Sequence, residues 1–291
     1  MPTPLHIPVM VDEVVHWLEP NSGATLVDGT TGGGGHTRRL AELVGPTGQI
    51  IAMDRDPIAV ARAEENLKGL PIQLVESNYA DIPEVLKQLG IRGVDGILLD
   101  VGLSSDQLAD GERGFSFDSD GLLDLRFNAS EGRPAWKILE TASSEHLADL
   151  IYNFGEERYS RRIARAVVGR RAGNPVRTAR DLGQLVRGCV PRGRRQGFDP
   201  ATRTFQALRI AVNDELKWLQ VALRRLADCL KPGGRIVVIS FHSLEDRIVK
   251  QAFRDGNNYE VLMKKPIRPA AAEVDRNPRA RSAKLRAARR I

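Results

Sequence analysis

Four short apolar runs separated by helical patterns fill the first hundred residues, and this rhythm restricts the possible folds more than any other feature. "ATLVD" (24–28), "GQIIAMD" (48–54), "IQLVES" (72–77) and "VDGILLD" (94–100) are brief, apolar and partly β-branched, the mark of buried strands. Between them, residues 36–44, 57–67 and 82–89 have helical spacing, and Pro57 suits a first helical turn. Strand, helix, strand at this spacing predicts a parallel sheet with right-handed crossovers.

After Asp100 the rhythm stops. It resumes with a predicted long helix over 204–230, the turn "KPGG" (231–234) and the strand "RIVVISFH" (235–242). A helix over 243–253, a strand "YEVLMKKP" (259–266) and a final edge strand "AKLRAARR" (283–290) follow. The expectation is an α/β fold whose mostly parallel sheet domain is discontinuous, residues 1–105 and 202–291. Residues 106–201 form an inserted, mainly helical domain.

The insert is arginine-rich. Residues 156–209 hold fourteen Arg and no Lys against four acids, for +10, and residues 276–291 hold six Arg and one Lys with no acid, for +7. Since the whole chain carries +6, the rest must carry −11. Two basic regions on an acidic body suggest a polyanionic partner, the alternative being a solvated arginine-rich surface. "RRIARAVVGRR" (161–171) and "PRGRRQG" (191–197) suit phosphate contacts and base stacking. No apolar stretch reaches membrane-spanning length and the start does not read as a signal peptide, so a cytoplasmic protein is expected. Cys189 and Cys229 cannot build a disulfide framework, and the five histidines show no paired ligand spacing, so no metal is expected.

"DGTTGGGGHT" (28–37) joins the first strand to a helix, presenting backbone N–H groups with no side chain in the way. A P-loop is excluded because Gly-His-Thr-Arg stands where GK[ST] is required. The dinucleotide pattern GxGxxG fails in both registers, and Asp28 would repel a pyrophosphate. S-adenosylmethionine, with an ammonium, a sulfonium and no phosphate, fits a glycine turn preceded by an acid. Asp54, at the end of the second strand, is placed to accept from ribose hydroxyls, a device shared with nicotinamide enzymes. Tyr79 can pack on adenine or simply join the core. "LKPGGR" is the turn usually found before the fifth strand of methyltransferase sheets.

These blocks, together with "AMDRDP", "ILLDVGLSSDQL", "RGFSF", "DLRF", "GEERYSRRIARAV", "TRTFQALRIAVNDEL", "ISFHSLEDRIVK" and "NPRARSAKLR", resemble in order the ribosomal RNA small subunit methyltransferase H family, also called MraW, from His6 to the C-terminus. The resemblance implies a class I, Rossmann-like methyltransferase. It would move a methyl group from S-adenosylmethionine to the 4-amino group of a cytidine in the decoding region of 16S ribosomal RNA, with the small ribosomal subunit as partner. By motif, Gly34, Gly35, His36, Asp54, Tyr79, Asp100 and Gln107 would bind the cofactor. Residues 251–277 are short where some relatives carry a long insertion.

A cytosine amine is a poor nucleophile because its lone pair is delocalised into the ring. An enzyme must hold it in line with the methyl and accept hydrogen bonds from its N–H groups. Asp100 ends the fourth strand, at the crevice where such acceptors belong. "VGLSS" follows it where amino-methylating DNA enzymes place a proline-rich acidic tetrapeptide. Asp100, or a carbonyl just after it, therefore serves the amine or orients the cofactor; the alternative is that it caps the next turn. His242 in "SFHS" is a candidate for contact with the base, against the alternative of a satisfied structural histidine. Phe115 and Phe117 are candidates to stack on a flipped base or to pack in the core. A methyltransferase of proteins or small molecules, a non-catalytic RNA-binding factor and a nicotinamide oxidoreductase are the rival readings.

Overall fold

The computed structural model describes residues 8–191, 199–255 and 257–291. The chain divides into two compact units, Met1–Ser104 with Leu216–Ile291, and Ser105–Glu215.

In the first unit the order begins α1 (Val11–Leu18), β1 (Thr25–Asp28), α2 (Gly35–Val44), β2 (Gln49–Asp54), α3 (Pro57–Asn66), β3 (Ile72–Glu76), α4 (Ile82–Gln88) and β4 (Val94–Asp100). The second unit holds α5 (Ser105–Ala109), α6 (Ala135–Thr141), α7 (Ser144–Gly155), α8 (Ser160–Arg170), α9 (Ala179–Cys189) and α10 (Thr202–Asn213). The chain ends with α11 (Glu215–Cys229), β5 (Leu230–Ser240), α12 (Ser243–Asp255), β6 (Tyr259–Val261), α13 (Ala271–Arg276) and β7 (Lys284–Arg290).

The seven strands form one sheet in the order β3-β2-β1-β4-β5-β7-β6, with β1 to β5 mutually parallel and β7 antiparallel to both β5 and β6. This is the class I methyltransferase arrangement. The strands are apolar on both faces, as a sheet covered on both sides requires. Val27, Ile51, Ile97, Leu99, Ile236 and Val238 pack with α4, α11 and α12. Their neighbours Leu26, Ile50, Leu98, Val237 and Ile239 pack with α1 and α2. The period of two within each strand divides one hydrophobic sequence into two cores.

Two expectations need correction. The single helix over 204–230 is two helices, because Asp214 takes a left-handed conformation (φ 52°) and its N–H closes on the Ile210 carbonyl. Asn213 makes that break worthwhile in the second unit: its side chain accepts from the Phe127 N–H at 2.8 Å and donates to the Leu125 carbonyl at 2.7 Å. Arg209 also holds Glu215 through two contacts of 2.7 and 2.9 Å. The chain accordingly returns to the first unit at Leu216, and α10 stays with the inserted helices. Nor is residue stretch 283–290 an edge: β7 lies between β5 and the short β6, which takes the edge. "KPGG" is a bulge inside β5, where Val94 faces Leu230 but Gly96 faces Arg235. No helix among the described residues is long and apolar enough to cross a membrane.

In the second unit α7 packs on α8 and α10. Much of its arginine is spent internally. Arg171 donates to the Leu139 and Ala142 carbonyls, Arg187 pairs with Asp118 and Asp199, and Arg177 pairs with Glu140. Arg161, Arg162 and Arg165 remain on the exposed face of α8, while "PRGRRQG" lies outside the described residues except for Pro191. Phe115 is buried and stacks on Phe127 at 6.0 Å between centroids, and Phe117 meets Phe205 edge-on at 4.8 Å. Phe115 is thus a core residue.

Candidate active site

The sheet order reverses between β1 and β4, and in open α/β sheets ligands bind outside the carboxyl ends of the strands at such a point. Asp28 ends β1 and Asp100 ends β4. The glycine turn lies between β1 and α2, with Gly32 at φ 51° and Gly34 at φ 88°, conformations open to glycine and strained for other residues. The turn is close-packed at its start: a Cβ on Gly29 would come within 2.6 Å of Leu99 and 3.0 Å of the Tyr79 side chain. Tyr79 is therefore brought against the turn, half-buried at the start of the short helix that follows β3.

Asp28 does not play the part its position suggested. It is fully buried, with the Thr37 hydroxyl donating to Oδ2 at 2.7 Å and the Thr30 N–H donating to Oδ1 at 3.1 Å. Burial raises its pKa against those bonds. It ties the turn to α2 from beneath, so its carboxylate is committed to the protein rather than offered to a cationic ligand. Asp54 acts similarly from β2: Oδ2 accepts the Gly32 N–H at 2.8 Å and Oδ1 the Asp56 N–H at 2.9 Å. Burial pushes its pKa up to about 6, opposed by those two donors. Each carboxylate oxygen has a further lone pair, so Asp54 can shape the turn and still accept from a ribose.

His36 and Asp100 meet here, Nε2 to Oδ2 at 3.5 Å. Burial disfavours the imidazolium, but Asp100, with Asp28 and Glu273, outweighs it and holds the His36 pKa above its ordinary value. The Asp100 N–H donates to Thr30 Oγ1 at 2.6 Å, which fixes the end of β4 to the turn. Both His36 nitrogens and Asp100 Oδ1 are buried without a hydrogen-bond partner among the described residues. Buried polar atoms of this kind are ordinarily satisfied by water, an ion or a ligand. α2 also opens at Gly34 with no side-chain cap and no acid in its first turn, leaving its amides for an anionic group. An amino acid end group, with ammonium and carboxylate, fits this set, and the glycine turn leaves it room. Gln107 is buried on α5 in the second unit.

His242 lies in the turn between β5 and α12, and the helix start constrains it. Glu245 Oε2 accepts the Phe241 and His242 N–H groups at 2.8 and 3.2 Å, and its Oε1 stands 3.0 Å from His242 Nε2. Thr30, Thr37 and Glu273 are participants that sequence reasoning missed. The threonines stood inside the quoted motif. Glu273 accepts the Met10 N–H at 2.7 Å across 263 positions, a separation no local pattern reports.

Residues 3–291 match the model of the MraW methylase family. The chain is 51% identical over 297 residues to "Ribosomal RNA small subunit methyltransferase H" of Rhodopirellula baltica, covering 98% of this chain and 91% of that protein. Proteins of the same name from Geotalea uraniireducens and Thermomicrobium roseum are 47% and 45% identical, each over 98% of this chain and over 98% and 94% of their own lengths. The glycine turn held by the Asp28 and Asp54 carboxylates therefore stands in a chain that belongs to the MraW methylase family, a methyltransferase with S-adenosylmethionine as methyl donor.

Proposed function

We propose that this chain methylates the exocyclic 4-amino group of a cytidine in the decoding region of 16S ribosomal RNA. The observation that carries this reading is the near-complete coverage by relatives whose name specifies small-subunit ribosomal RNA. The cytidine amine as acceptor follows from the blocks that resemble the family throughout the chain.

Bound S-adenosylmethionine supplies an electrophilic methyl on a sulfonium. Asp54 would accept from its ribose, and Gly34, Gly35 and the first α2 amides would hold its carboxylate. Tyr79 would pack on its adenine; for Gln107 a cofactor role rests on the family resemblance alone. Asp100 would hold the ammonium or accept a hydrogen bond from the target amine through Oδ1, turning the lone pair toward the methyl. Asp100 raises the His36 pKa against the effect of burial, and the two side chains stand beside each other at 3.5 Å. Positioning of this kind contributes about 7–11 kcal/mol to lowering such a barrier. His242 is held by Glu245 in a fixed orientation from which it would contact the base. The exposed Arg161, Arg162 and Arg165 support an RNA acceptor over a small molecule.

The test is transfer of labelled methyl from S-adenosylmethionine to small subunits from cells lacking this protein, followed by nucleoside analysis. Label in a cytidine methylated on its 4-amino group is the expected result; label in protein alone refutes the reading.

A further inference from the structure

A second concave surface lies in the first unit away from the glycine turn. It is a cavity of about 360 Å³ between α12 and the residues at and after β6. Lys250, Arg254 and Lys264 line it, and among the described residues no acid does. None of the three makes an ion pair or side-chain hydrogen bond among the described residues. A fourth lining cation, Arg286, is neutralised by Asp246 at 2.6 Å. The floor is apolar: Phe253, Val261 and Met263. Val261 is 38% exposed at the edge of the sheet.

Lysines beside an edge strand can simply discourage strand pairing. That purpose needs neither a concavity nor an apolar floor. Single-stranded nucleic acid sites combine cations that track the backbone with a platform for the bases, usually aromatic; here the cations stand beside an aliphatic surface, Val261 and Met263, with Phe253 buried beneath. The location agrees. α12 starts beside His242, at the carboxyl end of β5, and Lys250 follows His242 by eight residues, about 12 Å along a helix. Arg254 comes one turn later, about 6 Å further. A strand with one base in the crevice would reach this groove within a few nucleotides.

We propose that the groove is a subsite for the RNA acceptor, with a base of a nucleotide near the target on Val261 and Met263 and backbone phosphates on Lys250, Arg254 and Lys264. The proposal rests on the RNA reading above.

The experiment uses the full chain saturated with S-adenosylhomocysteine and a short labelled single-stranded RNA, with binding followed by anisotropy from 50 to 200 mM salt. Each phosphate contact adds about 0.7 to the slope of log affinity against log salt for single strands. The triple variant K250Q/R254Q/K264Q should lose about 2 from that slope, so its affinity should fall about 18-fold less than the wild type's over this range. Its S-adenosylhomocysteine affinity should stay unchanged, which reports an intact fold. An abasic oligonucleotide of equal length should bind the wild type more weakly than the RNA, and V261D should remove that difference. A triple variant with the wild-type slope overturns the proposal while leaving the RNA reading intact, provided the wild type methylates cytidine. Wild-type protein that methylates no RNA overturns the reading beneath it. Tighter wild-type binding to polyglutamate than to RNA, lost in the triple variant, also overturns it by making the groove a protein site.

Discussion

Gly34→Ala and Gly69→Ala form a matched pair that separates backbone strain from the cofactor cradle. Both glycines have positive φ, 88° and 80°. Placing alanine in the left-handed region costs about 1–2 kcal/mol at either position. At Gly69 a Cβ would meet nothing within 4 Å, so strain is the whole effect. At Gly34 the Cβ would stand 3.0 Å from three atoms of Leu67, and the turn or that side chain must move by a few tenths of an ångström. Gly69→Ala should lower Tm by about 2–8 °C, taking roughly 2–4 °C per kcal/mol, and leave the S-adenosylmethionine Kd within twofold. Gly34→Ala should lower Tm by at least as much. It should also disturb one or two backbone contacts worth about 0.5–1.5 kcal/mol each, weakening Kd by about 2- to 150-fold. Calorimetry on both variants with S-adenosylmethionine decides. If Gly34→Ala binds the cofactor as tightly as Gly69→Ala, the turn does not cradle the ligand and the assignment of this site fails.

The remaining predictions address charge and packing. Asp100→Asn should lower turnover at least tenfold and weaken cofactor binding, measured by single-turnover methyl transfer and calorimetry; retention of both removes Asp100 from the chemistry. Asp54 has a folded pKa near 6, above its ordinary 3.8, so its contribution to stability is present at low pH and is lost as pH rises from about 4 to 6. If ribose hydroxyls donate to its carboxylate, S-adenosylmethionine binding should strengthen toward pH 7 and release a proton near pH 6, and Asp54→Asn should flatten that profile in buffers of different ionisation enthalpy. Asn213→Ala removes the partners of the Phe127 N–H and the Leu125 carbonyl at a position 2% exposed, which should destabilise the second unit by about 2–6 kcal/mol in a urea titration.

The strands and the glycine turn were legible in the sequence because each rests on a local property. Apolar runs four to seven residues long report burial directly, and a run of glycines reports a backbone that must approach something. The carboxylates behaved otherwise. Asp28, Asp54 and Asp100 look alike as strand-terminal acids, yet only the fold decides that Thr37 and Thr30 occupy Asp28 and that two amides occupy Asp54. It also decides that Asp100 Oδ1 has no hydrogen-bond partner among the described residues. Hydrogen-bond partners are assigned by which chain segments meet, and no periodicity encodes that. The break at Asp214 was hidden for the same reason: the helical pattern runs through it, and Asn213's bonds to residues 125 and 127 exist only in the packed unit. β7 reads as a strand from its own residues, but its place between β5 and β6 depends on a pairing partner elsewhere in the chain. Local periodicity determined what each segment is; long-range pairing determined which polar groups are paired with one another and which are not.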